Sequence, residues 1–192
     1  MQTKLEKLIS QYRELGIDKQ IDYDKFYLYS LITHSTAIEG STITELENQI
    51  MFDQGISLKG KSIAELNMNL DLKNAYENAV KLANTHADIS IDLLKDFSAL
   101  VMKNTGQEYK TALGAFSSAR GELRLLNVTT GIGGKSYMNY SKVPAKLSEF
   151  CVWLNKEREN YTHKSTVQLY EISFDAHYHL ATIHPWADGN GR

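Results

Sequence analysis

Proline almost never interrupts this chain. Only Pro144 and Pro185 occur in 192 residues. Proline removes a helix donor and clashes with the preceding turn, so its scarcity beside long amphipathic stretches points to a mainly α fold. A first helix is expected over about Lys4–Leu15, stopping at Gly16. A second is expected over about Asp24–Glu39, stopping at Gly40, where glycine accepts left-handed C′ geometry. Thr44 with Glu47, and Ser62 with Glu65, have the spacing of capping boxes that open two further helices, the second reaching about Leu82. Another helix spans roughly Ile91–Lys103. Val143, Leu147, Phe150, Cys151 and Leu154 share one apolar helix face around Pro144, and a last helix runs from about Ser165 to Ile183. Gly121–Tyr140 differs in character. Leu123, Leu125 and Val128, then Thr129, Thr130, Gly131, Gly133 and Gly134, predict a β-hairpin or flap.

Bulk properties exclude several classes. A net charge of −2 leaves no basic footprint for nucleic acid, so such a partner is expected only if a downstream module exists. No run of about 18 apolar residues is present to span a membrane, and the N-terminal residues lack the apolar core of a signal peptide. Cys151 is the only cysteine, so no internal disulfide forms, which suits a reducing cytoplasm.

The chemistry concentrates in His184-Pro185-Trp186-Ala187-Asp188-Gly189-Asn190-Gly191-Arg192. A neutral imidazole accepts a proton from a hydroxyl at cellular pH. One carboxylate suits Mg²⁺, which binds few protein ligands plus substrate phosphates. Glycines let the backbone approach an anion, consecutive N–H groups form an anion cradle, and arginine adds a planar fork for phosphate oxygens. Simple Asp-Gly or Asn-Gly turn chemistry would account for the glycines alone. A calcium loop would put its first ligand at Trp186, which cannot ligate.

The run resembles the signature of the Fic family, His-Pro-Phe-x-(Asp/Glu)-Gly-Asn-(Gly/Lys)-Arg, with Trp186 in place of Phe. Gly121-Glu122-Leu123-Arg124 resembles the family's segment before its flap. Pro144, Leu147 and Trp153-Leu154-Asn155 resemble the helix after it, and Ala176, His177 and Ile183-His184 the approach to the motif. The resemblance implies a Fic-fold helical bundle with a small hairpin flap, and transfer of AMP from ATP to a Ser, Thr or Tyr hydroxyl of a target protein. It implies His184 as general base, Asp188 for Mg²⁺, and Gly189, Asn190, Gly191 and Arg192 for the phosphates. It also implies target docking by strand addition at the flap, about residues 121–140.

Ser35-Thr36-Ala37-Ile38-Glu39-Gly40 resembles the family's inhibitory motif, (Ser/Thr)-x-x-x-Glu-(Gly/Asn). Ser35, Glu39 and Gly40 are its matched positions. Ser35 and Glu39, four apart, are expected on one helix face. Glu39 stands near a helix C-terminus, where the macrodipole disfavours an anion. In the family such a Glu pairs with an Arg and holds ATP in a non-productive pose. The resemblance implies a second Arg and a helix beyond Arg192, so the chain is expected to be a fragment, with an N-terminal helical region over 1–60 (inhibitory helix about 24–40) and a catalytic core over 61–192.

Other candidates are plainer. His177 and His179 point to opposite sides of a helix, and no Cys completes a zinc set with His184. Cys151 reads as packing. Tyr137 or Tyr140 is a candidate for self-modification, with nothing to choose between them, and a helical surface suits a homodimer. Two alternatives to transfer stay open: removal of AMP with Glu39 positioning water, and a non-catalytic nucleotide sensor. UMP or phosphocholine transfer is a narrower variant.

Overall fold

In a computed structural model, residues 3–131 and 133–192 are described. Ile132, inside the expected flap, lies outside them. The helices are α1 (Lys4–Glu14), α2 (Tyr23–Ala37), α3 (Glu45–Gln54), α4 (Ile63–Asn84), α5 (Ile91–Val101), α6 (Val143–Arg158) and α7 (Thr166–Ile183). None is long and apolar enough to cross a membrane.

Local chemistry sets the starts. Thr3, Thr44, Ser62 and Ser165 each close a full capping box, satisfying two orphan donors apiece. Asp22 and Ser90 cap α2 and α5 with their side chains. Pro144 lies in the first turn of α6, where a missing N–H costs nothing.

The core is the contact of α6 with α7. Val143, Leu147, Phe150, Cys151 and Ile183 are buried, with Leu94, Leu123, Met138 and Leu180 packed around them. Helix α2 packs on α3 and α4, and α4 on α5, so the N-terminal helices are fastened to the rest through α4.

The structure departs from the sequence expectations in two places. The regular hairpin is β1 (Glu108–Thr111) against β2 (Gly114–Ser117), antiparallel, with Tyr109 opposite Phe116, and it precedes Gly121. The stretch expected as a hairpin holds only one isolated bridge, Thr129 with Ser136. Flanking bonds from Thr130 N to Lys135 O and from Tyr137 N to Val128 O still fold it back on itself. Its three glycines weaken a ladder, so it is a looped flap rather than a strand pair. The second departure is α2, which ends at Ala37. Glu39 therefore stands in the turn beyond the helix, not on its face with Ser35.

Candidate active site

Helix α7 delivers His184 at its C-terminal end. The residue before a proline is pushed out of the α region, and His184 adopts φ 50°, ψ 65° as the left-handed cap, its N–H still donating to Leu180 O at 2.9 Å. Positive φ is uncommon outside glycine and costs energy that the surroundings must supply.

That support comes from Arg124, which is 1% exposed. Its Nε donates to His184 O at 2.7 Å, its Nη1 to Leu126 O at 2.8 Å, and its Nη2 to Met138 O. Its backbone N–H donates to Pro185 O at 3.1 Å. One guanidinium thus caps the orphan carbonyls of α7 and joins both feet of the flap to the motif. The resemblance marked Arg124 only as a sequence match. Its role depends on contacts 60 residues apart, which no local pattern carries.

Beyond His184 the chain closes into a tight loop. Asn190 clamps it: its Nδ2 donates to Trp186 O at 2.9 Å, and Trp186 N donates to Asn190 Oδ1 at 3.2 Å. Trp186 is buried, with Nε1 donating to Gly121 O at 3.0 Å. Gly189 has φ 79°, and a Cβ there would sit 2.5 Å from Met102 Sδ, so a larger residue would be strained and would displace the Met102 side chain. Asp188 Oδ1 accepts from Gly189 N at 2.7 Å. The amides of Asn190 and Gly191 have no acceptor among the described residues.

Arg192 is drawn inward, its side chain 2% exposed and 3.6 Å from Asp188. Nη1 donates to Thr105 Oγ1 at 3.1 Å and Nη2 to Met102 Sδ at 2.8 Å, while Nε is buried without an acceptor. The turn that supplies Met102 and Thr105 is itself fixed by buried Asp71, which accepts from Asn104 N and Nδ2, both at 2.7 Å.

The Glu39 turn lies against this loop. A Cβ on Gly191 would stand 3.3 Å from Glu39 Oε1 and 3.5 Å from Ile38 Cγ2. Among the described residues the Glu39 carboxylate has no ion-pair partner. Buried hydrogen bonds hold the turn on both sides. Thr36 Oγ1 donates to Asn69 Oδ1 at 3.1 Å, and Asn69 Nδ2 donates to Ser41 Oγ at 3.0 Å. Glu65 then receives Thr42 N at 2.9 Å. Thr36, not Ser35, carries the buried hydroxyl of this segment. Gly40, with φ 92°, turns the chain.

The imidazole of His184 lies under Tyr137, with ring centroids 3.6 Å apart and planes 15° apart. Burial, with a smaller contribution from the Arg124 charge, holds its pKa below the ordinary histidine value, against a raising backbone contact at Ala181. A proton acceptor, a lone carboxylate, unpaired amides and a buried cation therefore meet within nine residues, with an anionic turn laid over them.

Fold and site together define a helical protein in which a half-buried histidine is followed by a glycine loop with unpaired amides. The Fic/DOC family profile matches residues 88–192, more than half the chain. The chain is 29% identical over 171 residues to "Protein adenylyltransferase fic-1" of Caenorhabditis elegans, covering 88% of this chain and 30% of that one. It is 32% identical over 164 residues to "Protein adenylyltransferase Fic" of Drosophila melanogaster, covering 84% and 29%. Among solved structures, Fic-1 of C. elegans superposes with a TM-score of 0.64 at 27% identity, over 90% of this chain and 45% of that one. A Fic-domain protein of Bacteroides thetaiotaomicron superposes with a TM-score of 0.74 at 18% identity, over 99% and 68%, which speaks to the fold alone. The chain belongs to the Fic/DOC family. It spans about 30% of the length of the adenylyltransferases it matches.

Proposed function

We propose that this chain carries the core of a protein adenylyltransferase, moving AMP from ATP to a side-chain hydroxyl of a target protein and restrained by Glu39. The observation that carries the reading is the placement of His184 immediately before an anion loop. A base within a few residues of a phosphate cradle meets the needs of a hydroxyl attacking a nucleotide. The names of its relatives point the same way.

In this reading the target hydroxyl oxygen bonds to the α-phosphorus, its proton passes to His184, and the bond to pyrophosphate breaks. The free amides of Asn190 and Gly191, and Arg192, would receive phosphate oxygens. Asp188 fits a divalent cation: its carboxylate spends one oxygen on Gly189 N and is 36% exposed, and Mg²⁺ needs only one or two protein carboxylates beside phosphates. Mg²⁺ bound there would neutralise phosphate charge. The looped flap, tied to His184 through Arg124, is the proposed docking edge for the target.

Glu39 acts as the brake because its carboxylate lies over the loop that must receive phosphate. Repulsion between this partly shielded carboxylate and an incoming phosphate costs about 1–4 kcal/mol, or roughly 5- to 1000-fold in productive binding. The test is transfer of label from α-labelled ATP, with intact mass, on the full-length protein and its Glu39→Gly variant. Label that appears or rises only in the variant supports transfer and brake together. An unlabelled variant that still binds ATP overturns transfer and leaves AMP removal or nucleotide sensing.

A further inference from the structure

We propose that Tyr137 is a positioning residue for the base: its ring, laid flat on the His184 imidazole, fixes that ring's plane and shuts water from one of its faces. The inference rests on the transfer reading, and it assigns to one flap side chain a task in the reaction itself.

The contact is unusually close. The Tyr137 and His184 centroids are 3.6 Å apart, whereas every other aromatic pair among the described residues is separated by 4.7 Å or more. It is also built from both sides. Tyr137 is held by its N–H to Val128 O at 3.0 Å. The carbonyl of the next residue, Met138, accepts from the guanidinium of Arg124 that also donates to His184 O. One buried arginine therefore sets the two backbones that carry the two rings. No side chain among the described residues hydrogen-bonds the imidazole; a backbone contact at Ala181 holds it at one point, and the stack is the contact that lies along its plane. A base on a left-handed cap needs such a hold, because misplacing a reacting group by about 1 Å costs about 100-fold in rate.

The groups facing His184 are few. Arg124 brings a positive charge from the segment before the flap, and Tyr137 comes from the flap. Asp188, on the motif loop, is engaged by Gly189 N and lies near Arg192. Covering one imidazole face disfavours the charged ring, so the stack serves both geometry and protonation state. An apolar ring does this as well as a phenol, and the hydroxyl has no described partner.

The test uses the full-length protein in the Glu39→Gly background, with Tyr137→Ala and Tyr137→Phe. Histidine ¹³Cε1 labelling follows the His184 titration by NMR, with His184→Asn assigning the resonance. Transfer kinetics run beside it. Tyr137→Ala is expected to raise the His184 midpoint and to lower kcat about 10- to 100-fold, with KM for ATP nearly unchanged. Tyr137→Phe is expected to restore both. An unmoved midpoint in Tyr137→Ala overturns the inference, and so does a rise in kcat, which would make Tyr137 a lid. A parent that transfers no label overturns the transfer reading by itself. The titration needs no turnover and then still decides whether Tyr137 governs the imidazole.

Discussion

Trp186 shows how much a single residue of the motif is asked to do. Where the family pattern has Phe, this chain has an indole whose Nε1 donates to the buried Gly121 carbonyl. Trp186→Phe keeps an aromatic ring but leaves that acceptor unsatisfied. A stranded buried acceptor costs about 1–3 kcal/mol, and the lower urea midpoint should come with an unchanged m-value. A variant as stable as the parent would mean that water replaces the indole. Gly121 is constrained from the other side. It sits at φ 65°, and a Cβ would collide with the Lys95 carbonyl and come within 2.9 Å of Ala99 N, both backbone atoms of α5. Gly121→Ala should therefore cost about 3–5 kcal/mol, in the range of severe single substitutions, and wild-type stability would show that α5 can shift. At this scale the motif was readable because its nine residues are contiguous and each answers a chemical need. Asn190 is a different case. The resemblance assigned it to the phosphates, while its side chain is spent on the backbone of Trp186. Only the closed loop reveals that this side chain shapes the turn.

Elements follow the same division between local and distant causes. The capping boxes at Thr44 and Ser62 formed where their spacing predicts them, because a cap is closed within four residues. The β1–β2 hairpin escaped notice because each strand has four residues and its pairing rests on cross-strand contact of Tyr109 with Phe116, stacked at 4.8 Å. Conversely, the Leu/Val/Thr/Gly pattern after Gly121 promised strands that the flap does not form, since its ends are held by Arg124 rather than by a ladder. The turn bearing Glu39 is the element on which regulation would depend. Asn69, fully buried, spans it from Thr36 to Ser41, and Glu65 pins Thr42 immediately after. Asn69→Ala removes those bonds and leaves a gap in the buried bridge, while Thr36 keeps Ile32 O and Ser41 keeps Ile43 N, so the cost is about 1–3 kcal/mol. If Glu39 is the brake, basal transfer should rise toward the Glu39→Gly level. Adding Asn69→Ala to Glu39→Gly should then give no further rise, the non-additivity expected of residues acting through one device. Lost stability with unchanged basal transfer would separate the turn from the brake.

Across the whole molecule, the perturbed groups set how stability responds to pH. Four carboxyls titrate below their ordinary range in the fold. Glu65 is held down to about 2, first by the Ser62 backbone N–H and then by Thr42. Glu47 is lowered by the Thr44 backbone, Asp53 by the Tyr29 hydroxyl, and Glu122 by Arg120. A depressed folded pKa contributes stability that is present above the unfolded value and lost as pH falls through the folded one. These four therefore protect the fold above about pH 4 and release it progressively toward about 2. His184 obeys the same sign with a different window. Its folded value is lowered by burial, so its contribution is complete above about 6.5 and declines as pH falls from there through the folded value. The alkaline side mirrors this. Tyr12 is raised to about 12, first by its hydrogen bond with Tyr23, so an unfolded chain ionises first and stability is lost above about pH 10. The expected profile of urea midpoint against pH is a plateau near neutrality with a two-stage acid descent. The first stage, beginning below about pH 6.5, is the one expected from His184 and should vanish in His184→Asn while the second remains. That first stage also falls where a proton would disable the base, so the acid limb of transfer by the Glu39→Gly variant should lie below about 6.5 as well. Were the first stage to persist in His184→Asn, another histidine would be responsible, and the half-buried, stacked imidazole would lose its claim to be the group that the fold keeps neutral.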